Sequence, residues 1–575
     1  MLKKFITLTN LNTKTMLKYG SVAAFSMLSI IFLFGVQNGM LAFPIALTAI
    51  SLSFEDIHVK TIQKTISLIL IDCSIVTVSF IASLNPYFGI PLNFATAFLI
   101  AYFLTARFNP KIYKPFMMLF VFTSFSKTDF PDFILRLESI VFGVLFVIIL
   151  SLITSRKTRK TIIKDDIYMP LNILNTNIQS ILEGTDLSKG YYSFSKSMRA
   201  LCYKIYVTRY KNYFTTNIGM LEFNIYLILE KLNLHLKDLS QKYDLKDDAT
   251  LKQLNQTISS TLEILNTTSD IQLVSKTLQD FSKSNINNDK FKILSEILSC
   301  LSISILHINS LNLKDINKPY SSWSRSDLES NFKFKKEFLT FASIKIRFSL
   351  RIAIALTITI FLGHVISLYK FIWVAITIMS VMQPYYEETI SKGKQRLLGN
   401  LLGVTIIITL LHVTHDPNIA IVALLISLYF TYGFKEYYKL SMFTSIASIS
   451  MASLTMGLTE ITLSRISFIL VGVFTVLFFN KFIFPYNAET GIKTLTSKLL
   501  KYNTILLQEY LKLSNTLENF DSNRFRDIVV LTTLNSEKLL LRNGFLNSKE
   551  VNKVVELNNH LTINLAFDTL IKKLE

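Results

Sequence analysis

Apolar runs in two groups of six decide what this chain can fold into. They fall at about 17–35, 38–54, 63–82, 90–106, 112–127 and 133–154, and again at about 343–364, 368–384, 395–412, 418–434, 438–457 and 463–484. A membrane-crossing helix needs about 20 predominantly apolar residues, with a range of roughly 17–25. Within lipid every backbone N–H and C=O must be satisfied inside the segment, so such runs read as helices. Composition points the same way. Hydrophobic residues make up 50% of the chain and charged residues only 17%, against about 25% in soluble domains. The basic, apolar stretch from Met1 to Gly35 has the outline of a secretory signal. No A-x-A site follows it and a second apolar run begins at once, so it reads as the first spanning helix.

Lysine and arginine placement orients the runs. With the N-terminus inside, the inside segments hold Lys3, Lys4, Lys14 and Lys18, then Lys60 and Lys64, then Arg107, Lys111 and Lys114, then Arg156, Lys157, Arg159 and Lys160. The second group repeats the pattern with Lys335, Lys336, Lys345 and Arg347, then Lys392, Lys394 and Arg396, then Lys435 and Lys439. The opposite loops carry few. Twelve spans with both termini cytoplasmic satisfy this distribution. Ten would place a basic cluster on the wrong side.

The two groups also resemble each other. "RLESIVFG" (Arg136 to Gly143) in the sixth run matches "RISFILVG" (Arg465 to Gly472) in the twelfth. An Arg and a Gly seven residues apart share one helix face. "KIYK" and "EYYK" likewise precede the fifth and eleventh runs. Two six-span blocks that both start inside form parallel repeats related by an axis along the membrane normal. The polar stretches between and after them carry helical stripes, such as Leu251, Leu254, Ile258, Leu262 and Leu265. The expectation is an all-α membrane protein. Residues 1–154 form a first transmembrane block, 155–340 a cytoplasmic helical domain, 341–486 a second transmembrane block, and 487–575 a C-terminal cytoplasmic helical domain. The polar bundles are read as packing on each other or on a second copy of the chain.

One stretch breaks the second block: "QPYYEETISKGKQRLLGNLLG", Gln383 to Gly403. It reads as a cytoplasmic connection from Gln383 to Gln395, followed by a helix that enters the membrane at Arg396. Gly399 and Gly403 form a GxxxG, whose small residues let a second helix approach closely. Arg396 lies three residues before Gly399, on about the same face. The stretch resembles the signature of the fusaric acid resistance-like (FUSC), aromatic acid exporter family: a "QP" helix end, a short loop, then Arg-x-x-Gly-Thr-x-x-Gly. Gln383, Pro384, Arg396, Gly399 and Gly403 match it, and Asn400 stands where Thr is usual. Arg465, Gly472 and Pro485 are also family-like, and the resemblance is firmest over about 340–486. In the first block Lys64, Ser67 and Ile71 align with Arg396, Gly399 and Gly403, so the glycines are lost there. The resemblance implies a bacterial inner-membrane protein. It also implies proton-driven export of aromatic carboxylic acids, or the passive anion conduction of plant relatives.

Several residues carry candidate chemistry. Asp72 lies midway along "TISLILIDCSIVTVSFIAS". A charged acid there costs about 2.5–3.5 kcal/mol on insertion scales and is a functional candidate by default. It is read either as the proton-coupling site or as a neutral acid bonded to a neighbouring helix. Arg347 and Arg351 share a face and either snorkel to headgroups or, with Arg396, form a vestibule for a substrate anion. Gly143 and Gly472 join Gly399 and Gly403 as helix-packing positions. Arg136 with Glu138, and Glu460 with Arg465, read as structural ion pairs at helix ends. Tyr369, Phe371, Trp373, Tyr385 and Tyr386 fit an aromatic belt or, failing that, a surface for aromatic substrates. His412, His415 and Asp416 lack further ligands for a metal.

Other classes find no support. "SKGKQR" lacks the first Gly and the Ser/Thr of a P-loop. No nucleophile constellation appears, and the net charge of +20 is not gathered on a nucleic-acid module. Neither an enzyme nor a resident cofactor or metal is expected. The reading is a transporter exporting small organic anions across the bilayer on the proton gradient. A passive anion channel and a non-transporting scaffold acting through its helical domains stand as alternatives.

Overall fold

The computed structural model describes residues 11–35, scattered positions from 38 to 47, and residues 61–105, 112–126, 128–154, 163–185, 188–207, 217–243, 248–267, 270–310, 343–414, 417–434, 436–453, 458–515 and 520–574. The expected span at 38–54 lies largely outside them. Among the described residues the chain is all-helical, and it divides into two compact units. Residues 1–155 and 329–488 form the first, and 156–328 and 489–575 the second.

The first unit contains α1 (Thr13–Phe34), α2 (Thr61–Leu84), α3 (Pro86–Leu104), α4 (Tyr113–Phe125), α5 (Phe130–Thr154), α12 (Ile344–Val365), α13 (Ile372–Val381), α14 (Tyr386–Thr414), α15 (Pro417–Gly433), α16 (Tyr437–Ser453) and α17 (Leu458–Phe482). Seven of these, α1, α2, α3, α5, α12, α14 and α17, are long and apolar enough to cross a membrane. The other four are shorter. α13 has only 10 residues and follows a 3₁₀ turn at Tyr369–Phe371. Local chemistry sets the boundaries. Asn85 caps α3 by accepting from the Tyr87 and Phe88 amides at 2.9 and 3.3 Å, with Pro86 at the first turn.

This unit is apolar outside as well as inside. Leu398, Leu402, Ile406 and Val413 of α14, and Leu470, Phe474 and Phe482 of α17, are exposed. Its buried positions include Ser79, Thr123, Asn400, Ser441, Ser445 and the arginines Arg136, Arg351, Arg396 and Arg465. In water such an exterior would aggregate; against lipid tails it is the expected face. The unit is knit across its two halves. α1 packs on α15 where Gly20 meets Tyr429 and Gly433 meets Leu11 and Met16, and the Asn12 amide donates to the Gly433 carbonyl at 3.0 Å. α12 packs on α3, with Tyr87 edge-on to Phe361 at 5.6 Å.

The second unit contains a π-helical turn (Ile163–Tyr168), α6 (Met169–Glu183), α7 (Ser188–Val207), α8 (Asn217–Lys242), α9 (Ala249–Thr267), α10 (Ile271–Asn285), α11 (Lys292–Ser310), α18 (Ala488–Asn515, its first residue assigned to the other unit), α19 (Ser522–Asn543) and α20 (Lys549–Leu574). The stripe Leu251, Leu254, Ile258, Leu262 and Leu265 of α9 is wholly buried, each side chain stabilising the unit by about 1.5–3 kcal/mol. α6 stops at Gly184, whose φ of 66° is left-handed and whose amide donates to Ile181. The two polar segments of the chain pack on one another: α8 meets α20 and α7 meets α19.

Candidate functional site

The stretch from Gln383 to Gly403 is not a loop followed by a helix. α14 starts at Tyr386 and runs unbroken for 29 residues to Thr414. The physical reason lies in its charges. Glu387 and Glu388 occupy the first turn, where the helix dipole favours acids. At 1.5 Å per residue the helix is about 43 Å long, against about 30 Å of hydrocarbon. Its charged first turns therefore extend the span.

Two polar nodes flank this helix. The first is the elbow before it. Arg351 of α12, 0% exposed, donates to the Pro384 carbonyl at 2.7 Å and to Asn480 Oδ1 of α17. The Asn480 amide in turn donates to Thr389 Oγ1, which also accepts from the Gln383 amide at 3.1 Å. Arg347, one turn earlier on the same face, donates to the Pro485 carbonyl at 2.9 Å and lies over the Tyr486 ring. Tyr385 packs edge-on to Tyr486. Arg351 thus neither snorkels to headgroups nor faces an open vestibule. The chain turns after α13, and the Arg351 guanidinium satisfies the Pro384 carbonyl at that turn.

The second node lies deeper along α14. Gly399 and Gly403 face α16: a Cβ at Gly399 would strike the Tyr438 carbonyl, and one at Gly403 would stand 2.5 Å from the Met442 carbonyl and 2.9 Å from Ser445 Cβ. Gly472 of α17 is as tight, 2.7 Å from Thr377 Cβ by the same construction. Gly143 meets Ile45 and Ile30. Around the α14–α16 seam Asn400 is fully spent. Its amide donates to the Arg396 carbonyl at 2.7 Å and to Ser441 Oγ at 3.0 Å, and its oxygen accepts from Ser445. Ser445 accepts from Arg465 Nη2 at 3.4 Å.

Arg465 is the residue that sequence reasoning misplaced. It sits seven residues into α17, about 10 Å from its start. It is 2% exposed, stacked at 4.2 Å over the Trp373 ring of α13. The Glu460 side chain expected to pair with it lies outside the described residues. Arg396, 5% exposed, lies close enough for the two cations to repel. Neither arginine meets a carboxylate among the described residues. Nε and Nη1 of Arg465 and Nε of Arg396 are buried without a hydrogen-bond partner. Trp373 is half-buried beneath Arg465, and Tyr385 is buried against Tyr486.

Asp72 stands apart from both nodes. It is 0% exposed in α2, on the buried face that also carries Leu68, Ile75 and Ser79. Ser79 accepts from Thr123 of α4 at 3.0 Å. Arg136 of α5, the first-block counterpart of Arg465 in the sequence motif, uses its terminal nitrogens locally and keeps a buried Nε without a partner. It donates to the Ser126 carbonyl at 3.2 Å and to Ser126 Oγ at 2.9 Å.

A unit with lipid-grade outer faces, spanning-length helices and a polar interior defines a multi-span helical membrane protein. Residues 357–479 match the family described as fusaric acid resistance protein-like, and over that segment this membrane protein is similar to that family. Neither curated proteins nor solved structures give a match. The matched segment contains Trp373, Arg396, Asn400, Ser441, Ser445 and Arg465 together.

Proposed function

We propose that the protein is a transporter that exports small organic anions, aromatic carboxylic acids among them, on the proton gradient. The observation that carries this reading is that ionisable groups are enclosed within the lipid-facing unit: Asp72 in the first half, Arg396 in the second. Such groups are expensive in a membrane and mark substrate or proton pathways. Asp72 is the proton-coupling residue of the proposal. Arg396 provides the anion's countercharge, and Arg347 and Arg351 hold the entrance in shape. The enclosed position of Asp72 supports a coupled transporter over a passive channel, which needs no titrating acid.

The proposed architecture is twelve spans in two parallel repeats in a bacterial inner membrane, both termini cytoplasmic. Two features support it. The lysine and arginine distribution alternates as required, and the packing is reciprocal. α1, the first span of one block, lies on α15, the fourth of the other; α12, the first of the second block, lies on α3, the fourth of the first. A two-fold axis between repeats generates such exchange.

Reconstituted protein tests the proposal. A panel of aromatic and aliphatic acids in proteoliposomes, with and without a pH gradient, should show flux that the gradient accelerates. Asp72→Asn should abolish the acceleration while inserting normally. Flux indifferent to the gradient would replace the transporter with a channel, and no flux of any acid would end the reading.

A further inference from the structure

We propose that Arg465 and Arg396 form a buried carboxylate-binding site between α13, α14, α16 and α17, with Trp373 as its wall. The proposal rests on the transport reading for its purpose but on separate observations for its existence.

The first observation is which atoms are unspent. Asn400 uses both ends of its amide, and Ser445 both accepts and donates. What remains without a partner is Nε and Nη1 of Arg465 and Nε of Arg396. All three are donors, and all three belong to cations. An enclosed charge without a counterion is costly, and here two of the same sign repel each other. The demand is for an anion that can accept from several separate N–H groups, and the two oxygens of a carboxylate meet it better than a spherical ion does.

The second observation is how Arg465 is held. One face of its guanidinium lies on Trp373, and Nη2 rests on Ser445. The hydroxyl is itself fixed by Asn400, which is tied to the Arg396 carbonyl. The chain Arg465–Ser445–Asn400–Arg396 crosses three helices and fixes the spacing of the two cations. Ser445, Ser441 and Asn400 are positioning residues. The arginines are the binding residues. Because Arg465 already covers one face of Trp373, the site reads the ligand's carboxylate and not an aromatic ring on that face. It is closed in this structure, so a ligand enters by a parting of these helices.

The protein carries its own reporter. It has two tryptophans, Trp323 and Trp373, so Trp323→Phe in the full-length chain leaves the one beneath Arg465. Sodium acetate would replace sodium chloride at constant ionic strength, in detergent, while Trp373 emission is followed. The expected result is a saturable shift, weakened at least tenfold in Arg465→Gln and in Arg396→Gln, and about threefold or more in Ser445→Ala. The serine variant keeps the test decisive if an arginine variant does not fold. A non-saturating change, or variants that titrate like the parent, would overturn the site. Saturable binding in a protein that carries no organic-anion flux would uphold the site and remove the transport reading. Flux by a parent whose Trp373 ignores acetate would do the reverse.

Discussion

The two units treat buried charge in opposite ways. In the second unit the deeply buried acids Asp166, Glu222 and Glu509 find their cations in the same bundle. Lys204 of α7 reaches Asp166 at 2.6 Å and Glu222 at 2.8 Å, and Glu509 of α18 is held by Lys512 at 2.9 Å and Arg524 at 3.5 Å. Burial would lower the Lys204 ammonium, but Glu222 and Asp166 more than reverse this and hold it charged well above the usual lysine range. In the first unit Arg351, Arg396 and Arg465 are as buried, yet none pairs with a carboxylate among the described residues. Arg351 gives its terminal nitrogens to neutral oxygens at the elbow and keeps a buried Nε without a partner, as Arg396 does. Arg465 is short of a partner at both Nε and Nη1 and stands beside a second cation. A bundle that only has to stay folded supplies its own counterions. The membrane unit sets Arg396 and Arg465 side by side with no carboxylate among the described residues, and the proposed site is an answer to that pairing.

The largest expected effect breaks the self-sufficient side. Lys204→Met leaves Asp166 and Glu222 enclosed without a cation, and removing one partner of a buried pair costs about 3–5 kcal/mol. Thermal unfolding of the full-length protein, read by dye labelling of Cys202, buried on the same helix, should show a large early transition. Unchanged labelling would mean the triad is decorative. Next comes the seam that brings the two cations together. Gly399→Ala pushes a methyl into the Tyr438 carbonyl and Ser441 and should destabilise by about 1–3 kcal/mol, as overpacking does. Gly393→Ala, six residues earlier on α14, meets only ordinary contacts at 3.4 Å or more. It should be neutral or stabilising by about 0.5–1 kcal/mol, because alanine suits a helix better than glycine. If both variants behave alike, close approach at the seam is not what the glycines provide.

How much of this the sequence shows depends on whether the interaction is local. Span lengths, the α9 stripe and the shared face of Arg396 and Gly399 follow from helical period alone. The extent of α14 does not. Hydropathy scores Tyr386 to Gln395 as polar and hence as a connection. The same acids at a helix start, with Glu388 and Lys392 four apart, are helix-forming chemistry. Arg465 was hidden for another reason. Glu460 nearby in sequence invited a local pair, while its actual partners, Trp373 and Ser445, come from other helices. One signal pointed inward all the same. Arg465 and Gly472 are seven apart on one face, and a glycine pressed against Thr377 and Val374 carries its arginine into the packed interior. The elbow's use of Arg351 was invisible because its acceptors are a carbonyl and an amide, which no charge pattern reveals.

A smaller effect on stability, but a sharper one on the comparison, is expected from giving the membrane site an internal counterion. Asn400→Asp is nearly isosteric. It keeps an acceptor for Ser445 and places a carboxylate beside the two cations. It loses the donations to the Arg396 carbonyl and to Ser441 Oγ, together worth about 1–2 kcal/mol, although the serine hydroxyl can turn to donate to the new carboxylate, and it gains attraction to the arginines. Net stability should change by no more than about 1 kcal/mol on that balance, while the acetate response of Trp373 disappears. A response that persists would show that the two arginines are not short of negative charge.

The smallest effect tests the other unit where its own supply of cations runs thin. Arg199 of α7 lies 3.9 Å from Glu537 of α19, and its charge also acts on Glu230 of α8. One guanidinium serves two acids. Burial raises Glu230 to about 7 from an ordinary 4.5, with Arg199 only partly opposing it, and burial raises Glu537 as well. The sign follows directly. The folded unit binds the Glu230 proton more tightly than the unfolded chain does, so stability is greatest below about 4.5. It declines as pH rises toward about 7 and is level beyond. Glu230→Gln keeps the neutral shape and removes the proton. Dye labelling of Cys202, compared between the two proteins at each pH, cancels the pH dependence of the thiol's own reactivity. The difference between them should open as pH rises from about 5 to about 7, with the glutamine protein the slower to label. A difference that stays constant across that range would mean Arg199 suffices for both acids, and the second unit would then be as fully self-compensated at Glu230 as it is at Lys204.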